Sequence, residues 1–130
     1  MATANYVVTP KNGFIQATTA NTARDGSGTL STVYTAAANS AGGRVDRVAI
    51  HATGTTTAGM IRLFISNGTL NRLIREVPVV AVTASATQPA FSVELIFDNG
   101  LILENGASLV ASTHNAEVFN LIPIVAGDFS

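Results

Sequence analysis

His51 and His114 are the only imidazoles in the chain, and there is no cysteine. Nucleophilic catalysis would therefore need a Ser or Thr beside one of these two rings, with a third group to orient it. His51 lies where Val48, Ile50 and Ala52 alternate with Arg47, His51 and Thr53, which turns its ring away from the apolar side. His114 follows Ser112-Thr113, near the end of an apolar run. Gly106-Ala107-Ser108-Leu109-Val110 lacks the second glycine of a nucleophile elbow. Gly54 to Gly59 has the first spacing of a phosphate loop, yet Met60-Ile61 stand where Lys and Ser/Thr must reach phosphate and magnesium. Among the carboxylates, Asp25 stands alone before Gly26 and Gly28 without EF-hand spacing, and Asp98 and Glu104 flank Asn-Gly turns, where they read as solvated turn residues. Paired glycosidase carboxylates stay open from sequence. Sugar sites, however, usually set aromatic faces against the rings, and the chain has no Trp and only Tyr6 and Tyr34. The expectation is a protein that is not an enzyme and that carries no cofactor and no metal.

The elements that would position these residues are strands. No 11-residue window carries apolar residues at i, i+3, i+4 and i+7 with sensible caps. Period-two alternation recurs instead: Phe91, Val93, Leu95 and Phe97 against Ser92, Glu94 and Asp98; Ile61, Leu63 and Ile65 against Arg62 and Ser66. Asn-Gly occurs at Asn12-Gly13, Asn67-Gly68, Asn99-Gly100 and Asn105-Gly106, and both residue types tolerate the positive φ of type I′ turns. The pattern predicts strands at 13–20, 29–36, 44–53, 60–66, 69–77, 90–98, 107–113 and 118–126, with a short extended piece at 101–103. Asn21 to Gly28 is a polar, glycine-bearing loop. Pro78 to Pro89 is too long for a hairpin loop and suits a crossover between sheets. The fold expected is all-β: an antiparallel, jelly-roll-like β-sandwich of about eight strands. Residues 1–12 would be an N-terminal arm or edge strand, and 13–130 a single domain.

Composition narrows the function classes. The chain has 130 residues, 47% of them hydrophobic and 12% charged, with net charge -1 and mean hydropathy +0.36. Disorder needs low hydrophobicity or high net charge, and binding to nucleic acid by counterion release favours a basic chain. The first residues show no basic, long apolar leader. The apolar run Val118 to Ala126 is nine residues, broken by Asn120 and Pro123, far short of the roughly 20 residues of a membrane span. Neither a nucleic acid nor a membrane is expected as a partner.

One feature points to a partner. The expected hairpin Met60 to Val77 holds Arg62, Arg72 and Arg75, three of the seven basic residues. A two-residue turn at Asn67-Gly68 would face Ile65 with Leu70 and Ile61 with Ile74 on the core side. Met60, Phe64 and Leu73 would then lie with Arg62 and Arg75 on the outer side, a mixture typical of interface cores. The competing reading is a bulge that tucks Phe64 inside. The N-terminal segment around Tyr6 could add to a sheet edge of this or a neighbouring subunit. Tyr6, Arg62, Phe64 and Arg75 are the expected partner contacts.

The stretch Gly100 to Glu117, Phe119 and the ending Ala126-Gly127-Asp128-Phe129, with Thr18 to Gly28 and Ala52 to Met60, resembles a group of small tailed-phage and prophage virion proteins. That resemblance implies a capsid decoration, or cement, protein of jelly-roll fold. Such a protein binds the phage major capsid protein on the outer capsid surface and ties neighbouring capsomers together, after assembly in the bacterial cytoplasm. Near-zero net charge also suits self-association as a dimer or trimer. The alternatives are a tail, baseplate or fibre module, and a glycan-binding β-sandwich.

Overall fold

In the computed structural model, which describes residues 7–129, nine strands follow one another without a helix. They are β1 (Thr9–Pro10), β2 (Ile15–Ala17), β3 (Ser31–Thr35), β4 (Gly43–Ala52), β5 (Gly59–Ser66), β6 (Asn71–Val79), β7 (Ser92–Leu103), β8 (Ser108–Thr113) and β9 (Phe119–Asp128). They form two sheets. Sheet A has the order β1-β9-β4-β7, with β2 also on β9; sheet B has the order β3-β8-β5-β6. All pairings between these strands are antiparallel. Successive strands mostly alternate between the sheets, and the order β2-β9-β4-β7 facing β3-β8-β5-β6 is that of a jelly roll. The fold class expected from sequence is the one present. Pro78 and Val79 end β6 of sheet B, and the rest of the stretch to Pro89 leads across to β7 of sheet A, as a crossover should.

The inward positions of both sheets meet in one apolar core. Val45, Val48 and Ile50 from β4, Ile61 and Leu63 from β5, Leu109 and Ala111 from β8, and Phe119 and Leu121 from β9 are all buried in it. Each of these side chains larger than alanine contributes on the order of 1.5–3 kcal/mol by leaving water. Phe91 and Phe119 meet edge to face, with ring centroids 6.4 Å apart.

Two expectations change. The loop after β5 has four residues, not two: Ser66 pairs with Asn71, and the Asn67 carboxamide accepts the amides of Thr69 and Leu70. A register shift between the Leu63 and Phe64 pairs then makes Ile74 an extra residue, so Phe64 faces Leu73 and Leu63 faces Arg75. The second change is at Asn99-Gly100. Both residues are left-handed, at φ 64° and 83°, yet the chain does not turn back there. Residues 92–96 and 101–103 pair with β4 in the same direction, and the extra residues bulge out opposite Asp46. At the N-terminus, where arm and edge strand were the two readings, Thr9–Pro10 form an edge strand. Val8 and Lys11 donate backbone hydrogen bonds to Asp128 and Ala126, and β1 pairs with β9. This part of the supposed arm is thus an edge strand of its own sheet, held against this chain rather than crossing to a neighbour.

Candidate interaction surface

Of the four partner contacts expected from sequence, Tyr6 lies outside the described residues, and two of the others are not on the surface. Alternation along β5 puts Arg62 and Phe64 on the face of sheet B away from the core, as expected. They are nevertheless 3% and 0% exposed. The chain's own segment between β2 and β3 covers them. Ala20 bridges to Thr113, and the Asn21 amide donates to the Thr113 carbonyl. Asn71 Nδ2 donates to the Gly26 carbonyl at 3.0 Å. The Asn21 carboxamide shapes the cover from within, donating to the Ser27 and Thr29 carbonyls and accepting the Ala23 amide.

An ionic cluster ties the cover to the sheet. Glu76 Oε2 accepts Arg62 Nε at 2.9 Å and Arg24 Nε at 2.6 Å, so one carboxylate joins a buried sheet residue to a cover residue. The hydrogen bond from Arg24, with that from Arg62, holds the Glu76 carboxyl below its ordinary range. Arg62 Nη1 also donates to His114 Nδ1 at 3.3 Å. Arg75 alone of the three is exposed, and its guanidinium lies 5.5 Å from the centre of the Phe97 ring at the open side of the sandwich. The hairpin therefore does not assemble the outer patch that its sequence suggested.

The composition sought there occurs on the outer face of sheet A. Rows across the sheet read Ile124–Arg47–Ile96 and Ile122–Ala49–Glu94, followed by Asn120–His51–Ser92. Ile96 is 54% exposed, and Ile122 and Ile124 are half-buried. His51 is exposed in this face, as its strand position implied. Charges in the face offset one another: Arg47 reaches Asp46 at 3.3 Å and Glu94 at 3.4 Å, and Arg44 reaches Asp46 at 3.1 Å. Phe14 stands at the border of the face, 80% exposed and at φ 55°. It lines both a small depression with Gln16, Asn120 and Ile122 and the groove formed with Lys11, Tyr34 and Thr35.

Phe14 is aimed from a rigid base. Asp128, 4% exposed, accepts the Tyr34 hydroxyl at 2.6 Å and pairs with Lys11 Nζ at 3.0 Å. Lys11 donates as well to the Thr35 carbonyl. Burial pushes the Asp128 carboxyl up, but the Tyr34, Lys11 and Ala37 donors together hold it below its ordinary value. Burial, then the Asp128 carboxylate, push the Tyr34 hydroxyl upward. This knot joins the segment before β2 to β3 and β9.

The sequence carried one signal for this face. Val118 to Ala126 is apolar at both inward positions (Phe119, Leu121) and outward ones (Ile122, Ile124). A strand of an antiparallel sandwich needs only one apolar face, so the second was a signal for contact. Among the described residues, no group of three or more His, Cys, Asp or Glu is placed to hold a metal. No known protein family, curated protein or solved structure matches the chain.

Proposed function

We propose that this protein is a structural component of a phage virion, a decoration protein that binds the outside of the capsid and ties neighbouring capsomers together. The observation that carries the reading is the outer face of sheet A. Among the described residues, the opposite sheet is crossed by its own chain, while this one presents isoleucines set around arginines and an exposed aromatic at its border. Large apolar side chains interleaved with arginine are enriched at interfaces. The likeness of Gly100 to Glu117 and the flanking segments to small phage virion proteins supplies the partner, the major capsid protein. A rigid jelly roll of low charge is suited to repeating over a lattice.

The test is binding to purified, undecorated capsids, read as copies per capsid by quantitative gel or cryo-electron microscopy. Phe14→Asn, which keeps a residue tolerant of left-handed φ, is combined with Ile124→Glu. The double variant should melt no lower than the parent and bind about tenfold or more weakly, a loss of about 1.4 kcal/mol, read as lower occupancy at a concentration near the parent's half-saturation. Equal occupancy would reject this face as the contact. A parent that never binds capsids but co-purifies with tails would replace decoration with a tail module.

A further inference from the structure

Each sheet ends in strands with unpaired backbone groups, and such edges are open templates unless something blunts them. Three of the four edges are blunted. The edge at β1 and β2 consists of strands of two and three residues, with Pro10 in the first and the left-handed pair Gly13-Phe14 between them. On β3, Lys11 caps the Thr35 carbonyl, and Gly13 packs so closely on the Val33 carbonyl that an added Cβ would lie 2.6 Å from it. On β6, Arg72 and Arg75 fold back onto the carbonyls of Asn71 and Ile74, a bulge follows Leu73, and Pro78 removes a donor.

The edge of β7 has none of these devices over Ser92 to Phe97. The Ala52 amide donates to the Phe91 carbonyl, so by antiparallel alternation Val93 and Leu95 direct their backbone groups to β4. Those of Ser92, Glu94 and Ile96 point outward. No hydrogen bond among the described residues reaches the outward groups. On the inner side, Val93 and Leu95 pack against the core yet stay half-buried, at the margin where the sandwich is open.

We infer that this edge pairs antiparallel with β7 of a second copy of the chain, about a two-fold axis at Leu95. The residues choose both occupant and register. An axis at Glu94 sets Glu94 against its own copy, and an axis at Ile96 sets Glu94 against Asp98; directly opposed like charges are destabilising. An axis at Val93 runs the pairing off the start of the strand at Ser92. With the axis at Leu95, Leu95 meets Leu95 and Val93 meets Phe97 on the core side, while Glu94 meets Ile96 outside. The outward backbone groups then pair with one another, and the half-buried margin is closed. This contact uses the edge of sheet A and leaves the Phe14–Ile124 part of its face free, so it stands or falls separately from capsid binding.

The experiment is sedimentation equilibrium of the intact protein from 1 to 100 µM, with Glu94→Pro and Glu94→Ala. A contact of this size lies at the small end of specific interfaces, so half-dimerisation is expected at roughly tens of micromolar. Proline at 94 removes only an outward-facing N–H, so Glu94→Pro should be monomeric throughout, while Glu94→Ala should dimerise like the parent. In parallel, hydrogen exchange of the parent should show the amides of Ser92, Glu94 and Ile96 becoming protected as concentration rises. That measurement decides the matter if the proline variant does not fold. A parent that is monomeric at 100 µM, a Glu94→Pro variant that still dimerises, or amides indifferent to concentration would each overturn the inference. Protection of these three amides only on adding capsids would overturn it in favour of a partner's strand.

Discussion

Replacing Asp128 by alanine removes the acceptor at the centre of the Lys11–Tyr34–Asp128 knot. The Tyr34 hydroxyl, on a residue 3% exposed, then has no acceptor, and the Ala37 amide loses its 3.3 Å bond. Lys11 suffers least, because its side chain is 35% exposed and keeps the Thr35 carbonyl. A hydrogen bond to a charged group is worth about 1.5–3 kcal/mol, and an orphaned buried donor costs about 1–3 kcal/mol more. The expected loss is about 3–5 kcal/mol, in line with other cases of breaking a buried ion pair. For a domain of this size that lowers the melting temperature by roughly 10–15 °C. Tyr34→Phe should cost about 2 kcal/mol, and the double variant should fall short of the sum by about 1–2 kcal/mol, since the two share one interaction. Gly43→Ala should mimic part of this loss, because a methyl there overlaps the Tyr34 hydroxyl.

The pH dependence of the parent follows from the same groups. Asp128 sits below its ordinary 3.8 in the folded state, so its contribution is present above about pH 4 and is lost as pH falls through the folded value. Tyr34 sits above its ordinary 10.0, so its contribution is present below pH 10 and is lost as pH rises beyond it. Urea titrations at pH 3, 7 and 10.5 would measure both limbs; Asp128→Ala should flatten the acid limb and only weaken the alkaline one, whose larger cause is the burial of Tyr34. A loss under 1 kcal/mol at pH 7, or strict additivity with Tyr34→Phe, would refute the reasoning.

Phe64→Ala should cost about 3–5 kcal/mol in urea unfolding, because the ring is enclosed between sheet and cover; a surface-like loss below 0.5 kcal/mol would mean the cover does not seal it. Gly26→Ala places a Cβ 2.5 Å from the Asn71 carbonyl at a backbone φ of 89°. It should speed limited proteolysis within residues 18–30 well before global unfolding, and an unchanged cleavage rate would count against a close-fitting cover. Val125 is β-branched yet sits at φ 51°, so Val125→Asn should raise stability by about 1 kcal/mol, read as a rise in melting temperature of about 3 °C.

Period-two patterning and Asn-Gly punctuation located the strands and the sheet-to-sheet crossover, because alternation is local: each residue's side follows from its neighbours'. The same pattern was legible at Arg62 and Phe64, whose face was read correctly. Their exposure was not, since it depends on a loop more than 30 residues away whose polar composition gave no hint of where it lies. Turn chemistry was equally local in its limits. Asn99-Gly100 and Asn67-Gly68 share residue types, yet one bulges out of a single strand and the other sits in a four-residue hairpin loop, because the neighbouring strands set the register. The outer face of sheet A was half-legible, in a terminal strand apolar on both sides. Only the tertiary structure brought Ile122 and Ile124 beside Arg47 and Ile96, from strands far apart in sequence. The sequence by itself determined which residues alternate and where the chain can bend. Which faces end up covered, and which edge is left bare, was decided by pairing between distant strands, whose free energy depends on contacts that no local pattern contains.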